Sequence, residues 1–355
     1  MQNIADAHIH IRFSRYADIE RMLDDISTVG VTRAALMSLP YRGAAENLAV
    51  LDAKSRYKKM DVRSFGGIHL TDRYAAYKPE VTAGKLLDMG CDGFKIMYSP
   101  DIARFFKFSL DDKRFDALFS LLEERNAPVN IHVADPETFW DDPNKYGHVS
   151  FPSKQSMYDS VENVLKRHKK LRVVFAHFYF LSKMPEEAVR IMETYPNVYF
   201  DLTPGVEMYR NFDNNLDFWR EFFPKYKHRI IFGTDSNTIK KCNKELELLV
   251  YRKLTESTGL FTQNCYGRDL TVRGLALDDD TVDCICRRNF IDFIGEKPAA
   301  VDSNAVKECA ERILFDLEHE PYDPWYIAGG EIIPDLKKDP EQNTVREVCR
   351  RIIAG

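Results

Sequence analysis

The feature that most constrains this chain is a rhythm of eight short apolar runs. They fall at residues 4–10, 33–39, 63–69, 93–98, 128–133, 172–177, 198–202 and 229–235, with helix-length stretches between them. Residues 111–125 form one such stretch, in which an Asp cap precedes Phe115, Leu118, Phe119 and Leu122 at helical spacing. Residues 185–195 form another. Strand followed by helix, repeated, gives parallel strands joined by crossovers. Eight such units predict an α/β fold, a distorted (β/α)8 TIM barrel. Its strands should end near His10, Pro40, His69, Tyr98, His132, His177, Leu202 and Asp235. A doubly wound open sheet would favour a glycine-rich phosphate turn after an early strand, and the sequence has neither G-x-G-x-x-G nor a P-loop.

The barrel is expected over residues 1–295, with residues 296–355 as a C-terminal helical extension. That extension should pack on the barrel or on a second subunit, as in a homodimer, with Tyr322, Trp325 and Tyr326 as its main anchors. Residues 134–154 and 254–273 exceed ordinary loop length and are expected to be either functional lids or disordered. The 50 Lys+Arg against 55 Asp+Glu leave a net charge of −5 with no basic block, which argues against a nucleic-acid partner. No apolar run reaches the ~18 residues of a membrane helix, and no secretory leader is read at the N-terminus. Seven scattered cysteines fit reduced thiols in a cytoplasmic protein.

His8 and His10 stand two apart in the first run, so a strand turns both to one side. Barrel chemistry sits at the C-terminal strand ends. Those predicted ends carry His8, His10, His69, Lys95, His132, His177, Asp201 and Asp235. Buried imidazoles and carboxylates are costly unless paired or metal-bound, so the set points to one site. His148, His168, His228 and His319 lie in polar surroundings and are expected on the surface. Asp6 is read as structural.

Asp6-Ala-His-Ile-His10, Asn130-Ile-His132, Phe175-Ala-His177 and Phe232-Gly-Thr-Asp235 resemble signature strands of the amidohydrolase superfamily. The nearest branch is the amidohydrolase-2, or aminocarboxymuconate-semialdehyde decarboxylase-like, group. Gly274-Leu-Ala-Leu277 followed by Arg288-Asn289-Phe290 resembles its closing helix, and the resemblance covers roughly residues 1–295. It implies one divalent ion, zinc first and manganese second, held by His8, His10, His132 and Asp235. His177 would be the acid/base beside it, with Asp235 also moving a proton. Sequence alone does not rank His132 and His177 by closeness to the ion.

Lys95, His69, Arg12 and Tyr98 are the expected contacts to a small-molecule substrate. The implied reaction is hydrolysis of an amide or ester-type bond in a small organic acid. The alternative is nonoxidative decarboxylation of an aromatic or unsaturated acid. A barrel that only binds is the reading of another class, and five intact site residues argue against it. Two departures concern the pocket: His132-Val-Ala-Asp-Pro136 replaces a His-Pro-Trp-like continuation, and Ala176-His177-Phe-Tyr-Phe180 replaces a glycine-rich turn.

Overall fold

The computed structural model describes residues 3–11, 18–39, 44–68, 70, 78–147, 151–203, 206–237, 252, 254–256, 258–265, 268–319 and 341–355. Arg12, Pro40, Tyr41, Arg42, His69, Asp72, Arg73, His148, Tyr322, Trp325 and Tyr326 lie outside the described residues.

Eight strands alternate with helices: β1 (Ile4–His10), β2 (Val31–Met37), β3 (Asp61–Gly67), β4 (Gly93–Tyr98), β5 (Val129–Val133), β6 (Val173–Phe175), β7 (Val198–Asp201) and β8 (Ile230–Ile231). They pair in parallel in sequence order, and a short continuation, β9 (Ser236–Asn237), pairs with β1. The eighth strand therefore touches both neighbours. Leu202 N donates to Ile231 O on one side, while Ala7 N donates to Phe232 O and Asp235 N to His8 O on the other. These bonds close the sheet into the expected barrel.

The helices form for local reasons. Helix Lys154–Arg167 starts at Ser153, whose side chain accepts from Ser156 N, and buries Met157, Tyr158, Val161, Val164 and Leu165 on one face. Helix Pro185–Thr194 begins with proline in its first turn, carries Glu186 and Glu187 there, and buries Ala188, Ile191 and Met192.

Strand alternation separates two apolar layers. Ile9, Phe94, Ile96, Tyr98 and Ile131 pack outward with the helices. Ala5, Ala7, Ala35, Met37, Phe65, Val174 and Ile231 pack inward with Phe290, Phe293 and Ile294 of helix Asn289–Ile294. That helix plugs the N-terminal end, since Arg172 at the start of β6 donates to Asp292 O and Phe293 O. The opposite end is left for polar groups.

Residues 254–273 contain an antiparallel hairpin, β10 (Leu260–Cys265) with β11 (Arg268–Arg273). Helices Ser303–His319 and Glu341–Ala354 lie on the outside of the barrel, where Arg56 donates to Arg351 O and Arg351 pairs with Glu20. Among the described residues, Cys91, Cys284, Cys309 and Cys349 are in no disulfide. No described helix is long and apolar enough to cross a membrane.

Candidate metal centre

The site starts with an irregularity in β1. Its register against β2 shifts between Asp6 and Ile9. Ala5 and Ala7 face the barrel interior, and after the shift His8 and His10 face it too. A regular strand could not place residues 5, 7, 8 and 10 on one side. Asp6 pins the irregularity, accepting from His8 N and Thr234 N at 3.1 Å each and from Thr234 Oγ1 at 2.7 Å. It is structural, tying β1 to the eighth strand.

His8 Nε2 and His10 Nε2 lie 3.0 Å apart. Asp235 Oδ1 is 3.4 Å from His10 Nε2 and 3.8 Å from His8 Nε2. These three residues are the described group whose donor atoms gather within 4.8 Å of one another. Asp201 accepts from His8 Nδ1 at 2.7 Å. The Nδ1 proton is thereby committed, and Nε2 is left as the lone-pair nitrogen. Two imidazole nitrogens and a carboxylate oxygen gathered this closely are the nitrogen and oxygen donors that would suit a divalent ion.

Asp201 joins the whole inner layer. Its Oδ2 also accepts from Asn130 Nδ2 at 3.1 Å, and its Oδ1 accepts from His177 N at 2.7 Å and from the Thr203 hydroxyl. Burial alone would raise its pKa, but the charge and hydrogen bond of His8 hold the carboxyl well below the usual range. Burial first, then Lys95, lowers His8. Lys95 is fully buried, 3.1 Å from His8 Nε2 and 2.5 Å from Asn130 Oδ1, and burial lowers it to about 8.

His177 follows β6 in a left-handed turn, with φ of 55°, 57°, 55° and 50° for residues 177 to 180. Left-handed backbone costs about 1–2 kcal/mol per non-glycine residue. The turn is held by what it buries. Phe178 packs against Phe200, Phe212, Trp219 and Phe223, and Tyr179 stacks on Phe175 at 4.0 Å. Two such buried rings contribute ~1.5–3 kcal/mol each, of the same order as the strain. Thr203 spends its proton on Asp201, so its oxygen accepts from His177 Nδ1 at 2.9 Å and leaves Nε2 free for proton transfer. Burial lowers His177 to about 4, so it is neutral at pH 7.

His132 stands outside the tight group. Its Nε2 donates to Ala134 O at 2.9 Å, which makes Nδ1 the lone-pair nitrogen, and its ring lies 5.1 Å from that of His177. Tyr98 departs from its expected place. It is buried among the outward core, where its hydroxyl accepts from Ser160 Oγ at 3.0 Å. Lys95 and Tyr98 are three apart on one regular strand, so only one of them can face inward. Lys95 lies one inward position deeper than Met97, the register partner of His132, and is enclosed rather than open to the mouth. His168 also departs from expectation, being buried between Glu123 and Asp116.

The sequence places Asp201 among the ionisable strand ends without a specific role, carries Asn130 in a motif, and offers nothing for Thr203. The available signal was that a carboxylate at an inward strand end needs a partner.

A family model described as amidohydrolase matches residues 6–291, and the chain belongs to that family. No curated protein matches the chain. Three solved structures are similar to it in fold. One is a putative 2-pyrone-4,6-dicarboxylic acid hydrolase from Pseudomonas putida, with 12% identity, 83% of this chain and 98% of that one covered, and a TM-score of 0.53. Another is 5-carboxyvanillate decarboxylase from Novosphingobium aromaticivorans, complexed with manganese and 4-hydroxy-3-methoxy-5-nitrobenzoic acid, with 14% identity, 82% and 96% covered, and a TM-score of 0.51. The third is 4-oxalomesaconate hydratase from Rhodopseudomonas palustris, with 12% identity, 89% and 100% covered, and a TM-score of 0.51. Such neighbours share the barrel while performing hydrolase, lyase and hydratase chemistry.

Proposed function

We propose that this protein is a metal-dependent hydrolase of a small organic acid, acting on an amide or ester-type bond. The observation that carries the reading is the convergence of His8 Nε2, His10 Nε2 and Asp235 Oδ1 beside a neutral His177. His8, His10 and Asp235 would hold one divalent ion, zinc or manganese, with His132 adding its Nδ1. When bound, that ion supplies Lewis-acid polarisation and a more acidic water.

The chain's own groups do the rest. Asp201 fixes the His8 tautomer and, through Thr203, the His177 tautomer. Asp235, with a third of its side chain exposed, accepts a proton at the mouth. His177 Nε2, which holds a lone pair at rest, takes up a proton and then passes it to the leaving group. The buried Lys95 ammonium offsets the charge of Asp201 and Asp235 from below.

The second reading is nonoxidative decarboxylation, in which His177 Nε2 would take up a proton from solvent and pass it to the carbon that loses carbon dioxide. It is favoured by the family neighbour that is named as a decarboxylase and holds manganese. A panel of lactones, acyl amides and aromatic carboxylic acids, run with zinc- and manganese-loaded protein, separates the two. Acid release without carbon dioxide supports hydrolysis, and carbon dioxide release supports decarboxylation. Silence across the panel with fully loaded protein would count against both.

A further inference from the structure

The His132-Val-Ala-Asp-Pro136 departure leads into a strap over the barrel rim. Residues 134–147 leave β5, and this stretch with Lys154 reaches the ends of three other strands. Tyr146 meets Asp101, at the start of helix Pro100–Phe106 after β4. Glu137 pairs at 2.9 Å with Lys154, whose Nζ donates to Phe180 O beyond β6. Thr138 bonds Glu207 of helix Val206–Asn214 after β7.

One clasp runs back to the centre. The Tyr146 hydroxyl is 2.8 Å from Asp135 Oδ2 and 2.9 Å from Asp101 Oδ2, so its single proton serves both carboxylates. The other oxygen of Asp135 lies 3.5 Å from His132 Nε2. Ala134, whose carbonyl takes the Nε2 proton, sits at φ 61°. That left-handed alanine costs energy and needs an outside hold. The ring of Tyr146 is wedged against Trp140 and Phe151 at 5.1 and 4.9 Å, so the hold comes from the strap. Burial, then Asp135 and Asp101, pushes the Tyr146 phenol far above its usual range, which keeps the donated proton in place.

We propose that Tyr146 is a positioning residue for the metal centre: it holds Asp135 and the Ala134 turn, these hold the Nε2–H of His132, and Nδ1 is thereby presented to the site. The strap and the centre are coupled through one phenol. This rests on the reading of His132 given above, and it extends that reading from the site to the lid.

The test uses the full chain with its histidines labelled by 15N and the His132 ring signals assigned from His132→Asn. In the wild type the ring should show the Nε2–H tautomer. Tyr146→Phe and Asp135→Asn should each move it towards a mixture and weaken zinc binding, measured by chelator competition, about 10-fold or more. Lys145→Ala, next to Tyr146 but making none of the clasp's hydrogen bonds, should change neither. Thermal midpoints show that each variant is folded, and Asp135→Glu, which keeps the carboxylate, should restore part of the tautomer preference. A His132 tautomer unaltered in both Tyr146→Phe and Asp135→Asn would overturn the coupling. If the tautomer responds but His132→Asn binds zinc as the wild type does, the coupling stands and the ligand reading of His132 fails.

Discussion

At the residue scale the account turns on which nitrogens carry protons. Asp235→Asn should weaken metal binding and abolish turnover, because a ligand charge and a proton acceptor go together. His177→Asn should keep its metal and slow turnover ~10²–10⁴-fold, the usual worth of an acid/base group. Metal loss in His177→Asn, read by elemental analysis, would show that the histidine had been given the wrong role. The same residue sets a pH effect on the metal-free fold. Folded His177 titrates at about 4, whereas an unfolded imidazole titrates near ~6.5. As pH falls, the unfolded state takes the proton first, so stability is full above ~6.5 and declines towards 4 by up to about 3 kcal/mol. Urea midpoints at several pH values should show this slope in the wild type and a shallower one in His177→Asn; equal slopes would contradict it.

At the element scale, closure of the barrel places the site. Gly233 lies where the eighth strand crosses β1, and a Cβ there would meet His8 Cβ and Thr203 Cγ2 at 2.8 Å each. Gly233→Ala should destabilise by about 1–3 kcal/mol and reduce metal affinity, since His8 must move. An unchanged affinity at lowered stability would mean that His8 is not held by this contact.

The elements also show what was legible. All eight strands are readable because each apolar run is short and a helix-length stretch separates it from the next. The His8–His10 pair was readable because two residues apart is one side of a strand. The irregularity between Asp6 and Ile9 was not, since nothing local distinguishes its register from a regular one. Tyr98 does end its strand, but it stands three residues from Lys95, and that parity turns it to the outward face. Asp201 was visible as a strand-end carboxylate, but its partner His8 lies 193 positions away. The left-handed turn at His177 contains no glycine to announce it; buried aromatic rings from other elements hold it.

At the scale of the whole molecule, one end of the barrel is dry and the other polar. The plug formed by Phe290, Phe293 and Ile294 sets the floor on which the ionisable layer rests. The terminal helices add stability away from that layer, with Val306, Ala310, Val345, Val348 and Ile352 buried. Ending the chain after Gly295 should therefore leave a folded barrel with a lower thermal midpoint, because the apolar barrel surface these helices cover returns to water. A midpoint equal to that of the full chain would show that these helices do not support the barrel.

The central claim is a single metal ion held at the C-terminal mouth, and anomalous diffraction at the zinc edge from zinc-loaded crystals tests it most directly. One strong peak per chain is expected, within about 2.0–2.2 Å of His8 Nε2, His10 Nε2 and an Asp235 oxygen. A peak elsewhere, or none between these three residues at saturating zinc, would contradict it.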